Sequence, residues 1–87
     1  MTELDVNSEE ATGACKTALR WLNMQVNQIK PYTLKSLNKA TKLENGHYNL
    51  LVTLVTQCFE GRDFNFDLEL DPAVKNPTAL LKHKQLE

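Results

Sequence analysis

Charge of one sign is what this sequence lacks most plainly. Ten basic residues stand against 11 acidic ones, for a net charge of −1. A nucleic-acid surface needs a clustered basic face, so the balance argues against that partner. Long apolar runs are also missing. No stretch reaches the roughly 20 residues that span a bilayer, and no signal peptide is expected at the N-terminus. There are only two cysteines, Cys15 and Cys58. Their spacing matches no metal motif, and His47 and His83 stand far from both in sequence. Internal repeats and low-complexity segments are absent. So is any Ser or Cys nucleophile paired with a base in a recognisable motif. No catalytic residue, metal ligand or cofactor is therefore expected.

What is present is a short chain with strong local patterns. Eighty-seven residues make one domain, residues 1–87, with a core shared among few elements. The organising stretch runs from residue 8 to about residue 28. Ala11, Ala14, Cys15, Ala18, Leu22, Val26 and Ile29 recur at steps of three and four, which places them on one face of a helix. Leu19 and Met24 flank that face. Ser8 suits the N-cap, and Glu9 and Glu10 suit the positive end of the helix dipole. Lys30-Pro31 ends the helix. Small residues at 11, 13, 14 and 18 allow close approach of a sheet.

The rest reads as strand. In residues 32–42, Tyr32 and Leu34 alternate, and Leu37 breaks the period by one, so a bulge is expected near Ser36. Leu43, Glu44, Asn45 and Gly46 form a turn, with Asn45-Gly46 expected to make a type I′ hairpin. In the run 47–59, Leu50, Val52, Leu54, Thr56 and Cys58 form the core face. Leu51, Thr53, Val55, Gln57 and Phe59 form the other, which leaves homodimer association open. Residues 64–71 alternate without fault, with Phe64, Phe66, Leu68 and Leu70 inward. Asp71, Pro72 and Ala73 open a loop. A last edge strand is expected over 78–84, in preference to a short helix. Residues 1–7 read as a frayed tail in preference to a first strand. The acidic row Asp67, Glu69 and Asp71 reads as the wet side of its strand, because alternate positions spread along a line and do not converge on an ion. A Cys15–Cys58 disulfide and two buried free thiols are equally compatible with the sequence.

Three ordered stretches resemble the cystatin superfamily. Residues 14–23, Ala-Cys-Lys-Thr-Ala-Leu-Arg-Trp-Leu-Asn, resemble its ALxxLN-like helix. Residues 32–41, Tyr-Thr-Leu-Lys-Ser-Leu-Asn-Lys-Ala-Thr, resemble its YKLVKVLSAT-like second strand. Residues 48–54, Tyr-Asn-Leu-Leu-Val-Thr-Leu, resemble its YYLEVEL-like third strand, and Cys58 sits about where secreted members place a cysteine. The resemblance covers about residues 11–58. It implies an α+β fold, a four- to five-stranded antiparallel sheet wrapped around one long N-terminal helix. It also implies a partner, a papain-like cysteine protease, whose cleft is plugged by a wedge of the N-terminal segment and two hairpin loops. The first loop falls on Leu43, Glu44, Asn45 and Gly46, and the second on Asp71, Pro72 and Ala73. Of the family's Q-x-V-x-G only Gly46 matches. Pro72 matches the second loop's proline, but Ala73 stands where tryptophan follows it. Gly13 lies within the helix and is no trunk glycine. Two functions follow as expectations. One is a protease-binding or inhibitory module, free or carried in a larger protease precursor. The other is a non-inhibitory cystatin-like structural or interaction domain. The resemblance implies a secreted or lysosomal setting, with a cytoplasmic one as the alternative.

Overall fold

The computed structural model describes residues 2–26, 31–56 and 62–86, with only the backbone of Val26. In chain order these form β1 (Thr2–Leu4), α1 (Glu9–Val26), β2 (Thr33–Lys42), β3 (Tyr48–Val55), β4 (Phe64–Leu70) and β5 (Leu80–Leu86), with a 3₁₀ turn at Pro77–Ala79 before β5. The strands form one sheet in the order β1-β2-β3-β4-β5, and every neighbouring pair is antiparallel. The α+β arrangement expected from the sequence is the fold. No described helix is long and apolar enough to cross a membrane.

The helix begins where the sequence places it. Ser8 Oγ accepts from Ala11 N–H at 3.2 Å, and the Ser8 carbonyl accepts from Thr12 N–H at 3.0 Å. The first of these bonds occupies an amide donor that the first turn would otherwise leave open, and the second begins the helical ladder. Ala11, Ala14, Cys15, Ala18 and Leu22 are buried on the face that meets the sheet, while Met24 stays exposed. Three alanines there let the helix approach the strands closely. They meet Ala40, Leu50, Val52, Leu54, Phe66, Leu68, Leu70 and Leu80 in one core. Phe64 is only partly buried and packs at the margin of that core. Tyr32 meets Phe64 and Phe66 edge-on, with ring centroids 5.9 and 5.3 Å apart. Val26, expected in the core, has a side chain outside the description, as do Ile29 and Cys58.

Two expectations need correction. Residues 2–4 are no frayed tail: Thr2, Glu3 and Leu4 pair with Lys42, Thr41 and Ala40, and Leu4 packs against the core. Three residues are too few to show a period, and the strand owes its existence to the end of β2 beside it. The other correction is the hairpin. Gly46 N–H donates to the Leu43 carbonyl at 3.0 Å, and Leu43 N–H donates to the His47 carbonyl at 2.8 Å. The central pair of the turn is thus Glu44-Asn45. Gly46, at φ +86°, follows it as the left-handed bulge residue. This is the three-residue hairpin loop, in which the glycine alone supplies the positive φ that a type I′ turn would ask of two residues.

The bulge expected near Ser36 is present and doubled. The β2–β3 register shifts between Leu34 and Ser36 and again between Leu37 and Lys39. Both shifts lie on the part of β2 that β1 does not cover. Each adds local twist, and together they break the flat edge that another strand would need.

At the far end of the helix, Asn23 ties α1 to the approach to β2. Asn23 Nδ2 donates to the Tyr32 carbonyl at 3.1 Å, and Asn23 Oδ1 accepts from Tyr32 N–H at 2.8 Å. Asn23→Ala removes both of these hydrogen bonds and is expected to cost about 1–3 kcal/mol in urea unfolding. A loss near zero shows that water replaces the amide fully.

Candidate functional site

The strand directions decide which loops meet. The β2–β3 hairpin and the β4–β5 loop both follow strands that run the same way. β1 runs the opposite way and starts beside Lys42. The N-terminal segment, residues 43–46 and residues 71–73 therefore gather at one end of the sheet. Glu44, Asn45, Pro72 and Ala73 are exposed there, and Leu43, Gly46 and Asp71 are half-buried beneath them.

The two loops are joined through His47. Its Nδ1 lies 3.0 Å from Glu69 Oε2 on β4, and its Nε2 lies 3.5 Å from Asp71 Oδ2 at the start of the β4–β5 loop. Its backbone N–H donates to Asn45 Oδ1 at 3.0 Å, which braces the hairpin tip. Asp71 works in two directions. While Oδ2 faces His47, Oδ1 accepts from Ala73 N–H at 3.0 Å and so shapes the second loop. The loop closes with Asp71 N–H on the Ala79 carbonyl at 2.8 Å and with Thr78 N–H on Asn76 Oδ1 at 2.9 Å. His47 was passed over in the sequence because it lacks a catalytic partner. Its part is mechanical, and counting register would have found it. Tyr48 pairs with Leu70, so the next residues outward, His47 and Asp71, stand opposite each other.

The acidic row is engaged side by side. Asp67 accepts from Asn49 Nδ2 at 2.6 Å and from Lys82 Nζ at 3.0 Å, and Glu69 and Asp71 share His47. Because the two ring nitrogens point to different carboxylates, these groups do not converge on one ion. No cluster of three potential ligands occurs among the described residues. Cys15 is a buried free thiol whose burial pushes it up to about 11. Cys58, its partner in the disulfide that the sequence leaves open, lies outside the described residues.

On the inner side of the same end, Tyr48 Oη donates to Glu10 Oε2 at 2.6 Å, and Lys42 Nζ lies 3.6 Å from the same oxygen. The tyrosine hydrogen bond first, then the lysine charge, holds the Glu10 carboxyl below its ordinary value of 4.5. The same bond raises Tyr48. A group lowered by folding adds stability above 4.5 and loses it as pH falls through its folded value. Tyr48→Phe is therefore expected to move Glu10 back toward 4.5 in an NMR titration. It should also flatten the acid limb of stability against pH. An unmoved Glu10 shows that Lys42 alone sets the shift.

A groove of about 340 Å³ opens beside this end, between α1 and the β4–β5 loop. Trp21 lines it, with the Arg20 guanidinium 5.2 Å from its ring centroid. Trp21 Nε1 is shut from solvent and has no acceptor among the described residues. An unmade bond of this kind costs about 1–3 kcal/mol. The groove depends on where the 71–79 loop folds back, which no local pattern around Trp21 reveals.

No protein-family profile, curated protein or solved structure matches the chain.

Proposed function

We propose that the chain is a cystatin-like module that binds papain-like cysteine proteases with the end of its sheet, the two loops and the N-terminal strand forming a wedge. The single observation behind this reading is the convergence of residues 2–4, 43–46 and 71–73 at one end. The bracing of that end supports it as well. A hairpin held by Asn45, His47 and Asp71 loses little entropy on docking. The action needs no covalent chemistry, since a rigid wedge in a cleft excludes substrate by occupying it. A secreted or lysosomal setting belongs to the same proposal.

A second reading is a non-inhibitory interaction domain on the same scaffold. Exposed Glu44 on the hairpin and Ala73 in place of tryptophan favour it, because a charge carried into an apolar cleft must be desolvated. The deciding experiment is an amide-shift footprint with catalytically inert papain-like proteases. Shifts at 2–4, 43–46 and 71–73 are the expected result. A footprint confined to the outer face of β3 and β4 overturns the wedge, and no binding across several such proteases leaves the second reading.

A further inference from the structure

We infer that His47 is a proton-operated clamp, which holds the β2–β3 hairpin to both Glu69 and Asp71 when its ring is protonated and gives up Glu69 when the ring is neutral. Strand register builds it. Tyr48 pairs with Leu70, so His47, just before β3, stands across from the end of β4 and the residue beyond it. Its ring nitrogens face two different carboxylates, Nδ1 at 3.0 Å from Glu69 Oε2 and Nε2 at 3.5 Å from Asp71 Oδ2.

An ionised carboxylate only accepts, so each of these contacts needs an N–H on the ring. The imidazolium has two. The neutral ring has one, and its other nitrogen turns a lone pair toward a carboxylate. The side chains of His47, Glu69 and Asp71 are 21%, 28% and 25% exposed, so water and salt screen that mismatch only in part. Protonation is thus what lets all three groups stand where they do.

The hairpin decides which contact the neutral ring keeps. Asn45 Nδ2, a donor, lies 3.2 Å from the same Nδ1, and the amide is oriented by its Oδ1, which accepts from the His47 N–H. A neutral ring with its proton on Nε2 keeps Asp71 and accepts from Asn45. One with its proton on Nδ1 keeps Glu69 and loses both. The first is favoured, and Glu69 is the group released. Another cation stands ready for it. Lys82 of β5 is opposite Glu69 in register, with its Nζ 3.0 Å from Asp67 Oδ2. The remaining charges nearby do not compete: Glu44 is exposed on the hairpin, and Glu10 and Lys42 meet at Tyr48 on the inner side.

Glu69 therefore has two arrangements, on His47 or toward Lys82, and the proton selects between them. A contact that only the protonated ring makes is present on the acid side and is lost as pH rises. Imidazoles as a class change charge between about pH 5 and 8, so this end of the sheet is stiffer in acid than near neutrality. The inference concerns the chain alone and stands whether or not that end docks on a protease.

A titration of the unmodified protein from about pH 5 to 9, above the ordinary carboxylate range, tests it by NMR. As the His47 ring loses its proton, its nitrogen shifts should show the remaining one on Nε2, and the Glu69 carboxyl carbon should shift in step. His83→Gln should leave that response intact, since His83 lies opposite Leu68. A double-mutant cycle of His47→Gln and Glu69→Gln in urea unfolding should give a coupling about three- to ten-fold larger at the acid end, expressed as an unfolding equilibrium constant. A neutral ring with its proton on Nδ1 overturns the inference. So does a Glu69 carboxyl that ignores the titration of His47, and so does a coupling equal at both ends.

Discussion

Leu54→Ala is expected to lower the unfolding free energy by about 2–5 kcal/mol. Leu54 is fully buried, opposite Leu34 on β2 and Phe64 on β4. Its loss leaves a cavity on β3, the central strand, where neighbours on both sides are fixed by ladder hydrogen bonds and cannot collapse inward. A domain of this size holds only about 5–15 kcal/mol in total, so the change removes a large fraction. Leu51→Ala is the matched control. Leu51 is three residues earlier on the same strand and half-buried on the outer face. It should cost less than half as much. Urea unfolding of both variants, with unchanged m-values, measures the difference. Equal losses show that the outer face is covered by something in solution, and a near-zero loss for Leu54→Ala shows that the assignment of faces is wrong.

That assignment was legible because strand period and burial are the same signal. Phe64, Phe66, Leu68 and Leu70 alternate with Asn65, Asp67 and Glu69, and β4 follows that pattern from its first residue to its last. The helix face was legible for the same reason, since Ala11, Ala14, Cys15, Ala18 and Leu22 repeat at helical steps and are all buried. What escaped was whatever depends on a neighbour. Three residues of β1 carry no period. The choice between turn types at Asn45-Gly46 rests on which amide meets the Leu43 carbonyl, and both choices use the same two letters. The His47–Asp71 contact joins positions 24 apart and exists only once the register of β3 on β4 is set. The Trp21 groove requires the 71–79 loop to lie along the helix, where Gln25 Nε2 donates to the Pro77 carbonyl. Strand direction brings the two candidate loops and the N-terminal strand to one end of the sheet. The bonds that brace them were not visible.

At that end, Glu44→Val is expected to convert a weak or absent inhibitor of papain into a measurable one. The side chain stands exposed on the hairpin tip, one residue before Asn45 in the central pair of the turn. Any docking that inserts the tip must carry this carboxylate out of water, and a cleft that accepts uncharged contacts offers it no compensation. Valine removes the charge and adds apolar surface that docking can bury. It changes neither the Leu43–Gly46 bond nor the Asn45 brace, because both use other atoms. The gain should be about ten-fold or more in the inhibition constant, equivalent to roughly 1.4 kcal/mol. Gly46→Trp supplies the opposite test. It places a bulky residue at φ +86°, where a side chain is strained, and broadens the tip that must enter the slot. Circular dichroism first establishes that each variant is folded. Inhibition that rises with Glu44→Val and disappears with Gly46→Trp assigns binding to the hairpin. Strong inhibition that survives Gly46→Trp moves the contact to another surface. If neither the natural sequence nor Glu44→Val inhibits any of several papain-like proteases, the braced end serves a partner of another kind.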